Sequence, residues 1–355
     1  MKHKISYIIA FVVLTHTALL WPLIVGSNSS VSVQNNTVFP TGVSTNEMRG
    51  FAAFPNGVTL TNAATTCLFN SLFPIAGPIV MNGGLFNLAK DMSITGTGTY
   101  LANAGQFNGN TNALSLPDQV ATFTTSGAIT IGNADLVMNC NVTLNALLTF
   151  TNNCVVEGRG HTLDVTAGGI AVGANSSAVL LKNMILKNVG VGKMYCFDNT
   201  GTFSLENVTC ILDAYYSFTQ GILEIFDEVK ITGLNQVFAY QSTQTSTITA
   251  NATLFFDTTM TFSYASNANN LLTFANNTSY LHLYETTLFA SNVGLSLTKG
   301  ALVVDGQCPV QSAATTSAKG ILIGDGVSAA NNLITMVLAE SGLNVQSGFL
   351  VYQNV

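Results

Sequence analysis

The chain has 355 residues, of which 48% are hydrophobic and only 8% are charged. Ordinary soluble domains carry roughly 25% charged residues, so solubility must rest on the abundant Asn, Thr, Ser and Gln. The formal net charge is −6 and no basic stripe is present, which argues against a nucleic-acid partner because its phosphates would meet no positive surface.

The first 27 residues differ from the rest. A basic start, MKHK, precedes an apolar run that ends before SNSS. This arrangement is typical of an export signal that is cleaved near Gly26 or Ser27. The run of about 21 residues is also long enough to span a bilayer, so an uncleaved N-terminal anchor is the alternative. Contact with a membrane is expected only through this segment, if it is retained.

The remaining chain is predicted to hold a flexible segment, residues 28–50, and one β-helix domain, residues 51–355. The domain is expected to be irregular over residues 51–120. Residues 320–355 again alternate apolar and polar positions, which predicts that the same architecture continues there.

Six cysteines are present, and none forms a C-x-x-C pair, so a zinc site is not expected. No other metal and no cofactor is predicted. Export would permit disulfides. The alternative, which we favour, is that the cysteines are small buried hydrophobic residues.

Helical periodicity is nearly absent, and short alternating runs recur between clusters of Asn, Gly, Thr and Ser. Each run has two alternating apolar positions, a short polar corner and a second apolar stretch. The runs cover residues 152–165, 176–189, 200–212, 220–233, 244–256, 278–290 and 299–310.

The polar corners of these runs form one predicted column. Its members are Gly158, Asn183, Asn207, Asp227, Asn251, Glu285 and Gly306. Their spacings are 25, 24, 20, 24, 34 and 21 residues. The one long spacing predicts a loop insertion near Ser263–Asn270.

The residues before each corner are predicted to point inward, because alternate residues of a strand share one face. The predicted pairs are Cys154 and Val156, Val179 and Leu181, Phe203 and Leu205, Leu223 and Ile225, Ile248 and Ala250, Leu281 and Leu283, and Leu302 and Val304. Coils of about 20–25 residues with Asn or Gly corners fit a parallel β-helix. A leucine-rich repeat lacks its L-x-x-L-x-L-x-x-N signature here, and a β-sandwich would not place the corners in one column.

The stretch VVEGRGHTLDV, residues 155–165, and the following AVLLKNMILKNVG resemble the opening coils of the pectate-lyase-like superfamily. That resemblance covers roughly residues 120–310 and implies an all-β, right-handed parallel β-helix, or solenoid. The stretches FPIAGPIVMNGGLFNLAKDMSI and LSLTKGALVVDG are also similar to secreted β-helix proteins of amoeba-associated intracellular bacteria.

Enzymes of this superfamily act on polysaccharides. The Asp-rich motifs of polygalacturonase-like members are missing, and the only arginines are Arg49 and Arg159. One set of acids and bases falls on successive predicted coils: Glu157, Lys182 and Glu206. Asp164 and Lys187 pair similarly on the next face. A catalytic patch would lie here, but a solvated charge ladder is the simpler interpretation.

Two further features of the sequence are candidate sites. His161 lies in the Gly-rich turn and would need a carboxylate or a nucleophile within reach to act as a base. We favour a half-exposed turn residue. Glu224, Asp227 and Glu228 form an acidic group that could do acid–base chemistry. An exposed acidic edge is the simpler interpretation.

The sequence therefore predicts no catalytic residue, with Glu157, Lys182, Glu206 and His161 as the candidates if that prediction is wrong. The leading hypothesis is an exported, non-catalytic β-helix with a structural or adhesive role, secreted, periplasmic or at the cell surface. Its partners would be glycans or host or cell-surface components. The alternative is a polysaccharide-active lyase or hydrolase, or a carbohydrate-binding module, on the same fold.

Overall fold

The computed structural model describes residues 128–355 continuously, together with residues 108, 111 and 113–116; before residue 128 it otherwise gives only the backbone of short strands. The predicted signal or anchor, the flexible segment, the irregular coils and Cys67 lie outside the residues described in full and stay predictions. In the described part, no helix is long and apolar enough to cross a membrane.

The chain divides into two compact units, Met1–Leu148 and Thr149–Val355. The strands of the first unit are β1 (Val12–Leu14), β2 (Ile24–Val25), β3 (Ser30–Val33), β4 (Thr37–Phe39), β5 (Ser44–Met48), β6 (Phe51–Ala53), β7 (Val58–Leu60), β8 (Thr65–Phe69), β9 (Ile79–Leu88), β10 (Met92–Ser93), β11 (Leu101–Asn108), β12 (Ala113–Ser115), β13 (Thr122–Thr125), β14 (Ile129–Gly132), β15 (Asp135–Val137) and β16 (Asn141–Leu144). Their pairing is parallel, as between β12 and β15, where Leu114 faces Leu136.

The later strands are β17 (Leu147–Thr151), β18 (Asn153–Glu157), β19 (Thr162–Asp164), β20 (Gly169–Val172), β21 (Ala178–Val189), β22 (Met194–Cys196), β23 (Thr202–Leu212), β24 (Tyr216–Phe218), β25 (Ile222–Thr232), β26 (Val237–Tyr240), β27 (Ser246–Ile248), β28 (Thr253–Asp257), β29 (Thr261–Tyr264), β30 (Leu272–Phe274), β31 (Tyr280–Tyr284), β32 (Thr287–Ala290), β33 (Leu295–Leu297), β34 (Ala301–Asp305), β35 (Gln307–Ser312), β36 (Ile321–Ile323), β37 (Ile334–Val337), β38 (Gly342–Ser347) and β39 (Leu350–Tyr352). Two single 3-10 turns, Ser317–Lys319 and Ala329–Asn331, lie among the last strands.

These strands build a parallel β-solenoid of about eight turns, which confirms the predicted parallel β-helix. Each coil of the second unit has three sides. The long strands β21, β23 and β25 bend at a corner and supply the first and second sides, whereas later coils use separate strands such as β27 and β28. The third side is the parallel sheet β24-β26-β29-β32-β35-β38.

The predicted inward pairs are confirmed with one exception. Val179, Phe203 and Leu223 face one another in register on successive coils and are at most 3% exposed. The exception is Ala250, which is exposed in the turn after β27. The inward partner of Ile248 is instead the buried Ser246, because β27 ends before the alternation reaches Ala250.

The predicted corner column is correct for its first five members and wrong for its last two. Asn251 follows β27 on the first side, and the matching position of the next coil is Thr278, after β30 and 27 residues later. Glu285 and Gly306 lie at the next corner, between the second and third sides. The long spacing therefore reflects mainly an extra side of the coil. The predicted insertion is small: Tyr240 pairs with Tyr264 and Ile248 with Phe274, so the stretch between them is two residues longer in the later coil.

The two corners look alike in sequence because both need the same backbone. Asn183, Asn207 and Asp227 at the first corner have φ of 53°, 52° and 49°, and Glu285 at the second has φ of 46°. Asn and Asp adopt this left-handed conformation at lower cost than most residues. The longer coil lies later, where Leu302 pairs with Thr335, 33 residues on.

Aromatic side chains fill the third side, which the sequence did not single out. The rings of Tyr240 and Tyr264 are buried and stacked at 5.5 Å. The hydroxyl of Tyr240 donates to the carbonyl of Gln244, and that of Tyr264 donates to the carbonyl of Ala268. These bonds satisfy the polar ends of the rings, as buried tyrosines require. The predicted continuation of coils over residues 320–355 is confirmed by β36 to β39.

Candidate functional site

The Gly-rich turn after β18 is shaped by the neighbouring coil. A Cβ on Gly158 would lie 2.3 Å from the Cβ of Met184, so only glycine fits there. Gly160 has φ of 81° and completes the bend. The amide of His161 donates to the carbonyl of Gly158 at 2.8 Å and closes the turn.

Glu157 is held from three directions at this corner. The Nδ2 of Asn183 lies 3.1 Å from both carboxylate oxygens, and the backbone amide of Arg159 donates to Oε1 at 3.0 Å. The Nζ of Lys182 lies 3.5 Å from Oε2. Burial alone would raise the pKa of Glu157, but these donors together lower it. The carboxylate is therefore ionised and occupied by structural contacts, which suits a fixed anion better than a proton acceptor.

The predicted ladder of Glu157, Lys182 and Glu206 forms only in part. The three residues face one another in register on adjacent strands. Lys182 pairs with Glu157, and Glu206 makes no ion pair among the described residues. The polar contact continues through the corner instead, where Nδ2 of Asn207 donates to Oδ1 of Asn183 at 2.9 Å. Asparagine side chains thus make the contacts between successive coils that ion pairs were expected to make.

His161 is half-buried in the turn, as predicted for a turn residue. Its imidazole contacts no carboxylate or hydroxyl partner in the described part of the chain. The structure therefore does not bring it together with Glu157 or Asp164 as a catalytic pair. Its backbone carbonyl accepts a hydrogen bond from the amide of Ile185, which ties the turn to the next coil.

Asp164 and Lys187 face each other in register, but the carboxylate binds other groups. Its Oδ1 accepts from the amide of Thr166 at 2.9 Å and from Nδ2 of Asn188 at 2.8 Å. Burial alone would raise the pKa of Asp164; the bonds from Thr166 and Asn188, with the nearby charge of Lys187, lower it. This carboxylate also caps a turn.

The acidic group on β25 is dispersed by the bend of the strand. Glu224 accepts a hydrogen bond from the hydroxyl of Ser204 at 2.8 Å on the preceding coil. Asp227 and Glu228 lie exposed at the corner. The three carboxylates do not converge on one point. This agrees with an exposed acidic edge, which was the simpler interpretation.

A different cluster, which the sequence did not predict, lies on the outer face of the second side. Lys230, Phe255 and His282 face one another in register on β25, β28 and β31. The rings of Phe255 and His282 stack at 4.3 Å, and Nζ of Lys230 lies 5.2 Å from the centre of the Phe255 ring. Two carboxylates flank the stack: Asp257 forms an ion pair with Lys230, and Asp305 lies 3.9 Å from Nε2 of His282.

We call these five residues the outer-face cluster. Burial lowers the pKa of His282, and the charges of Asp305, Glu228 and Asp257 oppose that effect only in part. The buried Nε2 has no hydrogen-bond partner among the described residues. The ring is thus a packed element, and one of its faces is covered by Phe255. The cluster depends on the register of β25, β28 and β31, whereas the predicted corner column places the last two runs on the wrong side of the coil.

The cysteines of the described part are all buried, which supports the favoured interpretation. Cys196, Cys210 and Cys308 are free thiols. Burial raises the pKa of Cys196 and of Cys210 to about 12, so neither is a reactive thiolate. Within the described residues, no group of three or more His, Cys, Asp or Glu side chains could hold a metal ion.

No family model, no curated protein and no solved structure matches this chain.

Proposed function

We propose that the chain is an exported, non-catalytic β-helix that serves as a structural or adhesive element at the cell surface or envelope. The observation that carries the proposal is the chain of contacts from Glu157 through Asn183 to Asn207. The polar groups best placed for chemistry bind one another along the stacked coils. Their role is to hold adjacent coils in register, as Asn ladders do.

The cellular part of the proposal rests on the sequence. The basic start and apolar run of residues 1–27 support export, to the exterior, the periplasm or the surface. A surface rich in Asn and Thr with few charges suits contact with glycans or cell-surface components. Membership of the pectate-lyase-like superfamily, and a relationship to secreted β-helix proteins of amoeba-associated bacteria, are part of this proposal and rest on the turn and coil motifs.

The test is an activity assay on acidic and neutral polysaccharides, with and without Ca²⁺. Wild type, His161→Ala and Glu206→Gln are compared for release of reducing ends and of unsaturated products. We expect no turnover by any of the three proteins. Turnover by the wild type that either substitution abolishes would overturn the non-catalytic assignment.

The outer-face cluster favours a second candidate, a carbohydrate-binding or carbohydrate-active face. Here carboxylates and aromatic rings meet across adjacent coils, and aromatic side chains beside a few convergent polar groups are typical of ligand sites. A glycan-array screen separates the candidates. Binding that Asp257→Asn removes, and that the matched corner variant Glu157→Gln leaves intact, would assign this face. Loss in both variants, or no binding at all, would contradict it.

A further inference from the structure

The outer-face cluster contains two acid–base pairs, and only one of them is closed. Lys230 and Asp257 form a direct ion pair. His282 and Asp305 do not, because Nε2 of the imidazole lies 3.9 Å from Oδ2 of the carboxylate, which is too far for a hydrogen bond. One carboxylate of the cluster is therefore bound by a cation, whereas the other lies beside a partner that it does not reach.

The packing of His282 directs its free nitrogen toward this carboxylate. The buried Nε2 has no hydrogen-bond partner among the described residues. Phe255 covers one face of the ring at 4.3 Å, and Val303, which faces His282 in register on β34, offers no polar side-chain group. Asp305 lies two positions after Val303 and so shares its outward face. Asp305 is thus the carboxylate that the structure places against Nε2.

The charges around His282 favour a cation at this position. The titratable groups that face it from the described strands are Glu228 and Lys230 on β25, Asp257 on β28, Asp305 on β34, and Tyr280 and Tyr284 on its own strand β31. Three of these groups are carboxylates and one is an ammonium, which Asp257 binds. A proton on the imidazole would therefore enter negatively charged surroundings.

We propose that His282 and Asp305 form a clasp between β31 and β34 that closes in acid. When the imidazole takes up a proton from solvent, both ring nitrogens become donors and the ring becomes a cation. A charge-assisted N–H···O bond is about 2.7–2.9 Å long, so the gap must shorten by about 1 Å. The side chain of Asp305 is 35% exposed and can close the gap by rotating, so the ring stays stacked on Phe255.

Closing the clasp changes the outer face. It takes the carboxylate of Asp305 out of water and adds a side-chain contact between adjacent coils. Burial lowers the pKa of His282 and the nearby carboxylates oppose that effect only in part, so the clasp closes on the acidic side of the ordinary histidine range. The face presents a free carboxylate above that pH and a paired one below it. This switch goes beyond the proposed function and needs no ligand.

The test follows the folded full chain by NMR from pH 8 to pH 4, with ¹³C-labelled histidine and aspartate. In the wild type, the carboxyl carbon of Asp305 should shift at the same pH as the imidazole of His282, because one proton controls both groups. Asp305→Asn should lower the proton affinity of His282 at least about threefold, since the carboxylate no longer stabilises the cation.

Glu228→Gln is the matched control. It also removes a carboxylate charge that acts on His282, but Glu228 lies exposed at the corner, two coils away. Its effect on His282 should be smaller and should disappear in about 1 M salt, whereas that of Asp305→Asn should persist, because salt screens exposed, distant charges more than a contact.

Two results would overturn the proposal. One is a carboxyl signal of Asp305 that does not respond when His282 titrates. The other is an equal loss of proton affinity in Asp305→Asn and Glu228→Gln, which would show that only long-range charge acts on the ring. The carboxyl measurement uses the wild type, so the test stays decisive even if Asp305→Asn does not fold.

Discussion

The coils built by β21, β23 and β25 and the terminal coil of β37 to β39 follow one pattern with different results. In the middle coils, Leu181, Leu205 and Ile225 are at most 1% exposed. In the terminal coil, the equivalent alternation leaves Val337 and Val345 about half exposed. Local sequence sets which way a side chain points, but a neighbouring coil on each side sets whether it is buried.

This difference means that stability in a solenoid is shared between neighbours. An inward residue in the middle contacts the coils before and after it, whereas one in the terminal coil contacts only the coil before it among the described residues. Substitutions at matched positions should therefore separate two contributions to stability: the alternation of apolar residues within a coil, and the contacts of that coil with its neighbours.

The largest expected effect comes from placing a charge in each region. Leu205→Asp should destabilise the protein by several kcal/mol, on the order of 3–5, because the carboxylate would be buried without a partner. Val345→Asp should cost less than about 1 kcal/mol, since Val345 is 47% exposed and the site is open to water. Urea denaturation of both variants measures the difference. Equal losses would show that the terminal coil is as well covered as the middle.

Glycines give the next contrast. A Cβ on Gly221, which has φ of 90°, would lie 2.3 Å from Sγ of Cys196, so Gly221→Ala should cost roughly 2–4 kcal/mol. Gly342 in the terminal coil has its nearest such contact at 3.6 Å, to Oε1 of Gln307, so Gly342→Ala should stay within about 0.5 kcal/mol. Thermal unfolding distinguishes them, and a large loss for Gly342→Ala would contradict the open packing there.

Acid should weaken the coils that contain β18, β19 and β31, where the titrating groups His282, Glu157 and Asp164 lie. His282 has a lowered pKa in the folded state, so the unfolded chain takes up a proton more readily and stability falls once the pH drops below about 6.5. Glu157 and Asp164 also have lowered pKa values; their contribution is complete above the ordinary carboxylate pKa and is lost as the pH falls toward the folded values.

The measurement is the urea midpoint from pH 8 to pH 3 for the wild type, Glu157→Gln and His282→Phe. Glu157→Gln should flatten the loss at the acidic end, and His282→Phe should flatten the loss near neutrality. Unchanged profiles would show that these groups do not couple folding to pH. Hydrogen exchange should find little change in the terminal coil, whose one charged side chain is Glu340.

The smallest effects are expected at the first corner. Asn183→Ala should cost about 1–2 kcal/mol, because it removes the bonds to Glu157 and from Asn207 and places alanine in the left-handed backbone at φ of 53°. His161→Ala should cost less than about 1 kcal/mol, since its side chain has no such partner in the described residues. Chemical denaturation compares the free energies of unfolding of the two variants. A greater loss for His161→Ala would show that the imidazole stabilises the turn more than the Asn183 side chain stabilises the corner.

Much of the fold could be read from the alternation and the corners, because each strand must turn its apolar side to the shared interior. The column from Gly158 to Asn251 was correct for that reason. The placement of Glu285 and Gly306 was not, because all three sides carry the same alternation and both corners require the same left-handed backbone. The same ambiguity between sides limited the prediction of the candidate site. The pairing of Glu157 with Lys182 was predicted correctly, whereas the outer-face cluster was not predicted.

The sequence by itself determined that this chain forms stacked parallel strands with polar corners, since alternation and turn residues act over a few neighbouring positions. Only the tertiary structure decided which strands share a side. It also decided that the polar contacts at the corner run from Glu157 through Asn183 to Asn207 and do not include Glu206, and that His282 contacts Phe255 and Asp305. Those contacts join residues about 20–27 positions apart, and their register depends on the exact length of every coil between them. A difference of a few residues in one coil shifts the register of all later pairs. Local propensity does not determine the total length of the coils, so it does not determine these pairs.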